Sequence, residues 1–354
     1  MRALLTGGTG FIGGALARRL SADGVVLRAL VRRGGDLDAC AKVGAEVRVA
    51  GLDDPNPIAE AATGCDVVFH CAGENSARAA PRALSWINVA GTENVLRAAR
   101  HAGVRRLVYL SCADVTLTNA DRLGWKEDAI MTDAPLGTCL RSKLLADELV
   151  RQASTDRFTT VCVRPGWLWG PGDHTNLPGL CDEALHGGVR LFGNGENIFA
   201  TAYVDNVVEG LVAASRAERV GGKAFHVSDG EFVTAREFFE LLCRTIGLAG
   251  PRTGIYPVAY AAAWLRERTQ HAGPWPMDVA RRGRASLLDC GRATQELDYK
   301  PRTSLADGMQ ALARWAQDAG GPDAIRSLAR KPPTDADADT YARTADGYEH
   351  NAPE

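Results

Sequence analysis

The sequence predicts an α/β chain: a doubly wound parallel sheet with a smaller C-terminal lobe. Three observations predict it. Short apolar runs alternate with segments of helical spacing from Arg2 to Arg164. A glycine-rich turn joins the first run to the first helix. The alternation then breaks up after residue 173.

The first run, Arg2-Ala3-Leu4-Leu5, reads as a buried parallel strand, and Gly14 to Leu20 as a helix. Between them stands Thr6-Gly7-Gly8-Thr9-Gly10-Phe11-Ile12-Gly13. Strand, glycine turn and helix N-terminus together suit a pyrophosphate. Glycines let the backbone approach the phosphates, and the free N–H groups and helix dipole favour the charge. This makes the sheet Rossmann-type and Gly7, Thr9, Gly10, Phe11, Ile12 and Gly13 candidate cofactor contacts; the alternative is a tight turn without a ligand.

A second strand over 25–31 ends on Arg32-Arg33. A carboxylate there would hold the ribose 2′-hydroxyl of NAD(H). Two arginines instead suit the 2′-phosphate of NADP(H), unless they are only a solvated basic strand end. A third strand over 46–50 leads to Gly51-Leu52-Asp53, and a fourth over 66–70 to Cys71-Ala72-Gly73. Small Ala72 and Gly73 allow a dinucleotide to lie against the backbone. His70, inside an apolar run, is a packing residue. The fifth strand spans 106–112 with its carboxyl end, a helix over 140–150 carries Lys143, and the sixth strand spans 158–164. Residues 223–227 form a returning strand. The expected organisation is a dinucleotide-binding domain over 1–173 with 198–230 returning to it, and a substrate lobe from 174–197 and 231–315. Residues 331–354, polar and without apolar period, read as a disordered tail.

Hydrophobic residues make up 45% and charged residues 24% of the 354, as in ordinary globular proteins. A net charge of −2 gives no reason to expect nucleic acid. No apolar run has membrane-spanning length, and the first strand begins too early for a signal peptide. Nine scattered cysteines without CxxC spacing fit reduced thiols, hence an expected cytoplasmic protein.

Several motifs together resemble the extended short-chain dehydrogenase/reductases, nearest the 3β-hydroxysteroid and sterol-4-carboxylate dehydrogenase branch. They are the 6–13 turn, Asn88-Val89-Ala90-Gly91-Thr92-Glu93-Asn94-Val95, Arg164-Pro165-Gly166, Gly193-Asn194-Gly195-Glu196-Asn197 and Tyr203-Val204-Asp205-Asn206-Val207. Gly222 to Val227 and Leu297-Asp298-Tyr299-Lys300-Pro301 match later landmarks, so the resemblance covers about residues 1–315. It implies cofactor contacts at Pro165 and Gly166, and a homodimer through two helices of the first domain. It also implies a catalytic Ser, a Tyr and a Lys, the Tyr four residues before the Lys. The Tyr would protonate the carbonyl oxygen, the Lys would lower the Tyr pKa and hold the nicotinamide ribose, and the Ser would fix the carbonyl.

Here the chain departs from the pattern. Lys143 matches, but four residues before it stands Cys139, and Cys112 aligns with the serine, with Ser111 one residue earlier. No tyrosine lies between Tyr109 and Tyr203. The adenine-contacting acid is displaced by one position to Asp53. A thiol has a pKa of about 8.5, and a lysine alongside is expected to lower it. Yet the sulfur ends roughly 4 Å short of where a tyrosine oxygen would be. A water, a bulkier substrate, or a substrate carrying its own acidic hydroxyl fills that role instead. Some polyketide ketoreductases lacking the tyrosine are understood in the last way. The expected function is therefore NADPH-dependent reduction of a bulky polycyclic ketone, a polyketide or steroid. Alternatives are Cys139 acting as acid in a steroid dehydrogenase, a disulfide between the two cysteines, and a non-catalytic NADP(H)-binding protein. Trp167, Trp169, Tyr256, Tyr260 and Trp264 are candidate pocket residues, and the apolar stretch 257–268 is expected to line a pocket or interface.

Overall fold

The computed structural model describes residues 1–129, 133–269 and 273–337. Seven strands make one sheet: β1 (Arg2–Thr6), β2 (Val26–Val31), β3 (Glu46–Val49), β4 (Val67–His70), β5 (Arg106–Leu110), β6 (Thr159–Pro165) and β7 (Lys223–Val227). Their order is β7-β6-β5-β4-β1-β2-β3, with every neighbour parallel. The order reverses between β1 and β4, and a doubly wound sheet opens its ligand crevice at that point, beyond the strands' carboxyl ends.

The helices used below are α1 (Phe11–Ala22), α2 (Pro55–Ala62), α3 (Gly91–His101), α4 (Gly137–Gln152), α5 (Leu177–Leu185), α6 (Val204–Arg216), α7 (Ala235–Thr245), α8 (Tyr256–Thr269), α9 (Pro276–Gly283) and α10 (Leu305–Asp318). Strand alternation separates two cores. Ala3 and Leu5 of β1 pack with Leu16 and Leu20 of α1 and Leu211 of α6. Leu4, pointing the other way, packs with Ile58 of α2, Val95 of α3 and Val150 of α4. Burial on both faces explains why these strands read as continuous apolar runs.

Beyond β6, residues Trp167–Trp169 pair with Thr201–Tyr203, and Arg190–Phe192 pairs with Arg252–Gly254. Trp167 and Trp169, candidate pocket residues in the sequence, are buried in an aromatic core. Their rings pack edge-on against Phe238, with Phe199, Phe239 and Tyr203 around them. Aromatic spacing alone cannot distinguish a core from a cavity wall.

A buried carboxylate, Asp229, ties this region together. It accepts from Trp169 Nε1 at 2.9 Å, Thr201 Oγ1 at 2.7 Å, the Tyr203 N–H at 2.7 Å and Asn206 Nδ2 at 2.8 Å. Asn206 in turn accepts from the Arg302 and Thr303 N–H groups.

The expected tail divides. Residues 331–337 are described and contact the first domain, the Pro333 carbonyl accepting from the Ala80 N–H at 3.0 Å. Residues 338–354 lie outside the described residues. Among the described residues no helix is long and apolar enough to cross a membrane, and no cluster of metal-ligating side chains occurs.

Candidate active site

The glycine turn closes directly on the chain just past β4. Gly7 has φ +75°, and a Cβ on it would meet the Ala72 nitrogen at 2.6 Å. Only glycine fits there. The Gly10 N–H bonds the Gly7 carbonyl, and a Cβ on Gly13 would strike that same oxygen. Helix α1 begins with Gly10 as its N-cap, with no side-chain cap and no acidic residue in its first turn. Its leading N–H groups are left for an anion, the arrangement a pyrophosphate requires. Phe11 and Ile12 are buried under the turn, and Thr9 is half-buried. These residues fit a dinucleotide.

Arg32 and Arg33 stand exposed past β2, and neither makes an ion pair among the described residues. Past β3, Asp53 curls its carboxylate over Gly51, and Asn94 Nδ2 donates to the Leu52 and Asp53 carbonyls. Pro165 ends β6. Gly166 has a structural reason of its own: a Cβ there would lie 2.6 Å from the Ala200 carbonyl oxygen.

The loop after β4 and helix α4 form the floor. Asn88 lies in a π-helical turn, Ser85–Ala90, a distortion that re-aims side chains. Its Nδ2 donates to the Glu74 carbonyl and to Ser142 Oγ, both at 2.9 Å, and its Oδ1 accepts from the Glu74 N–H at 2.8 Å. Ser142 Oγ donates back to the Cys139 carbonyl at 2.8 Å. This lock fixes Lys143, one residue on. Lys143 is buried, with Nζ 5.8 Å from the Tyr109 ring centroid and close enough to Gly73 that a Cβ there would sit 2.5 Å away. The space above Gly73 is therefore the lysine's.

His70 confirms its packing role. It is fully buried between Thr6 Oγ1 at 2.7 Å and Thr92 Oγ1 at 3.0 Å, and burial pushes its pKa down to about 3.

The two cysteines behave differently from expectation. Cys139 is buried against Ala79 and Leu84, and its thiol donates to the Glu74 carbonyl at 3.7 Å. Burial drives its pKa up to about 12, outweighing the opposing Lys143 charge. Cys112 packs beside Leu117, Leu140 and Met277, and burial drives it up to about 11. Lysine proximity was expected to acidify these thiols; desolvation of the thiolate wins. Both thiols are free, with no disulfide between them. Ser111 is buried, and its hydroxyl is directed at the Asp147 carboxylate.

Two features were missed in the sequence. Asp147, on α4 one turn after Lys143, is fully buried and takes two bonds from Arg164, at 2.9 and 2.5 Å. Arg281 of α9 bonds Asp114 at 2.6 Å, and its charge reaches both Cys112 and Cys139. An i, i+4 carboxylate after the lysine was visible in the sequence; the pairing across α4 and β6 was not. Tyr256, Tyr260, Trp264 and Leu265 of α8 line an apolar groove with Asn119 and Arg284 at its polar edge.

Comparison with known proteins fits this geometry. Residues 3–228 match the model of the NAD dependent epimerase/dehydratase family. A 4-hydroxy-2-methyl-3-oxo-4-farnesyl-3,4-dihydroquinoline-1-oxide ketoreductase from Stigmatella aurantiaca is 36% identical over 90% of this chain and 98% of its own. The human sterol-4-alpha-carboxylate 3-dehydrogenase, decarboxylating, is 28% identical over 87% of this chain and 86% of its own. The dTDP-glucose 4,6-dehydratase DesIV from Streptomyces venezuelae, solved with NAD, superposes with a TM-score of 0.72 at 26% identity, covering 90% and 97% of the two chains. The chain belongs to the NAD dependent epimerase/dehydratase family, the extended short-chain dehydrogenase/reductases, and is an NAD(P)-dependent oxidoreductase of that family.

Proposed function

We propose that this protein is an NADPH-dependent ketoreductase for a bulky, polycyclic, largely apolar ketone, and that the substrate supplies the proton. One observation carries the proposal: the position that would hold the acid tyrosine is Cys139, closed in by Ala79, Leu84 and the Glu74 carbonyl and kept neutral by burial. A thiol at about pKa 12 in that enclosure is a poor proton donor to an alkoxide.

The bound nicotinamide would supply the hydride. Lys143 would hold its ribose, with the turn from Gly7 to Gly13 on the pyrophosphate, Ala72 and Gly73 along the backbone, Pro165 and Gly166 beyond β6, and Asp53 near the adenine. Arg32 and Arg33 would take the 2′-phosphate. The protein's task is then positioning, which can lower a barrier by about 7–11 kcal/mol in favourable cases. A ketone with an adjacent acidic hydroxyl completes the reaction. Hydride adds to the carbonyl carbon, the oxygen takes the neighbouring hydroxyl proton, and water returns a proton to the resulting oxyanion. Fused-ring substrates suit the groove of Tyr256, Tyr260 and Trp264, and the two named relatives act on a farnesyl-dihydroquinoline ketone and on a sterol. A cytoplasmic homodimer through two helices of the first domain belongs to the same reading.

The test is NADPH carrying deuterium on one or the other face of C4, incubated with steroid and aromatic polyketide ketones. Deuterium in a product alcohol supports the reductase and reports the reacting face. Transfer from neither face across the panel, with NADPH binding measured separately, overturns it in favour of cofactor binding without turnover.

A further inference from the structure

The chain does not leave the domain after the short helix Pro322–Ser327. Residues 328–337 cross the carboxyl ends of the strands, where a dinucleotide would lie. Arg330 Nη2 donates to the Thr9 carbonyl in the glycine turn at 2.9 Å. Three residues on, the Pro333 carbonyl takes the Ala80 N–H from the loop after β4. The Thr334 N–H and hydroxyl then hold the Asp337 carboxylate at 2.7 and 2.8 Å, and the Arg32 charge acts on the same carboxylate. The segment thus spans the crevice between its two walls, β1 and β4, at the switch point.

The surroundings of Arg330 ask for an anion. It makes no ion pair among the described residues, although other guanidinium groups in this chain pair freely. The charges it feels are Arg32 past β2, which opposes it, and Glu74 past β4. His174, past β6, feels its charge as well. Through the Thr9 carbonyl, Arg330 is held one residue before the uncapped N-cap of α1, which already presents free N–H groups. A cation bonded to the turn's own carbonyl, beside another cation, over an uncapped helix start, is an arrangement that a diphosphate relieves.

We propose that residues 328–337 form a strap over the bound dinucleotide and that Arg330 binds its pyrophosphate. The proposal rests on the chain's use of a nicotinamide dinucleotide and not on which form it prefers. Arg330 therefore serves NADPH and NADH alike, whereas Arg32 serves the 2′-phosphate alone.

The test is equilibrium binding of NADPH and of NADH, followed by the quenching of protein fluorescence, to the full chain and to Arg330→Ala, Arg330→Lys and Arg32→Ala. Loss of a charge-assisted bond predicts that Arg330→Ala weakens both dinucleotides by the same factor, roughly tenfold or more. Arg330→Lys recovers part of that loss. Amide exchange over 329–337 slows on adding either dinucleotide in the unsubstituted chain, and slows less in Arg330→Ala. Unchanged affinity for both dinucleotides in a folded Arg330→Ala protein overturns the proposal. So does a loss confined to NADPH, which would move Arg330 to the 2′-phosphate. A separate result, equal binding of both forms with no effect of Arg32→Ala, would overturn the NADPH preference and leave the strap standing.

Discussion

The Cys139 thiol and the Asn88 amide meet on one acceptor, the Glu74 carbonyl, at 3.7 and 2.9 Å. The amide bond is the strong one, and the thiol contact is long and weak. Cys139→Ala leaves the carbonyl satisfied. It is expected to cost about 1 kcal/mol of stability from lost packing and to leave turnover of a hydroxyl-bearing ketone within about threefold. Steady-state kinetics and a urea melt check both. A hundredfold loss of kcat with NADPH binding intact would return the acid role to the thiol.

Gly73→Ala puts a methyl group 2.5 Å from Lys143 Nζ and 3.2 Å from Asn88 Oδ1. The lysine must swing away. Because Gly73 is exposed, the melting temperature should hardly move. Turnover should fall at least about tenfold, since a displacement of one ångström at a positioned group costs that much or more. Unchanged kcat would show that Lys143 has no part at this spot.

The thiols offer a chemical check. Cys112 and Cys139 have pKa values raised to about 11 and about 12 from 9.0. In the native protein at pH 8 both should resist iodoacetamide, and mass spectrometry should find them alkylated only in denaturant. The sign for stability follows from the same shift. The unfolded chain loses these protons near pH 9 while the native chain keeps them. Stability from the neutral thiols is full below pH 9 and is lost as pH rises through 11 to 12.

Asp173 shows the same sign at acid pH. Its Oδ1 accepts from the Thr175 and Asn176 N–H groups at 2.8 and 2.9 Å, while Oδ2 has no partner. Burial raises its pKa to about 6 from 3.8. The native state therefore favours the protonated form, an advantage complete below pH 3.8 and lost as pH climbs through 6. Asp173→Asn keeps the acceptor and removes the charge. It should stabilise the protein by about 2 kcal/mol at pH 7.5 and by little at pH 4. Denaturant midpoints at the two pH values test it, and equal effects at both would rule out titration of Asp173.

Much of the first domain was legible. Runs such as Val67 to His70 are apolar throughout because the sheet is covered on both faces, and Gly7 and Gly13 signal backbone approaches that no Cβ permits. Lys143, Cys139 and Cys112 could be placed by motif, and the missing tyrosine was plain. What the sequence withheld was environment. The acidity of Cys139 turned on Leu84 and Ala79, 55 and 60 residues away in the chain. The lock of Asn88 on Glu74 and Ser142 joins three segments that no periodicity connects. Arg330 was invisible for a simpler reason: the strap is polar and nearly all exposed, so it carries no apolar pattern, and its contacts are to backbone carbonyl and N–H groups.

The Asp229 carboxylate bears on biosynthesis. Its donors lie at 169, 201, 203 and 206, and its neighbour Asn206 is held by backbone at 302 and 303. The family match ends at 228, one residue short of that carboxylate. A nascent chain released at that boundary would hold every strand of the sheet, yet leave a buried indole N–H, a hydroxyl and an amide without an acceptor, each costing on the order of 1–3 kcal/mol. The region matched by the family model is thus not a unit that can mature alone. The ribosome must deliver residues beyond 303 before the returning strand and its helix settle, and fragments cut at 228 should partition into chaperones or inclusion bodies while the full chain does not.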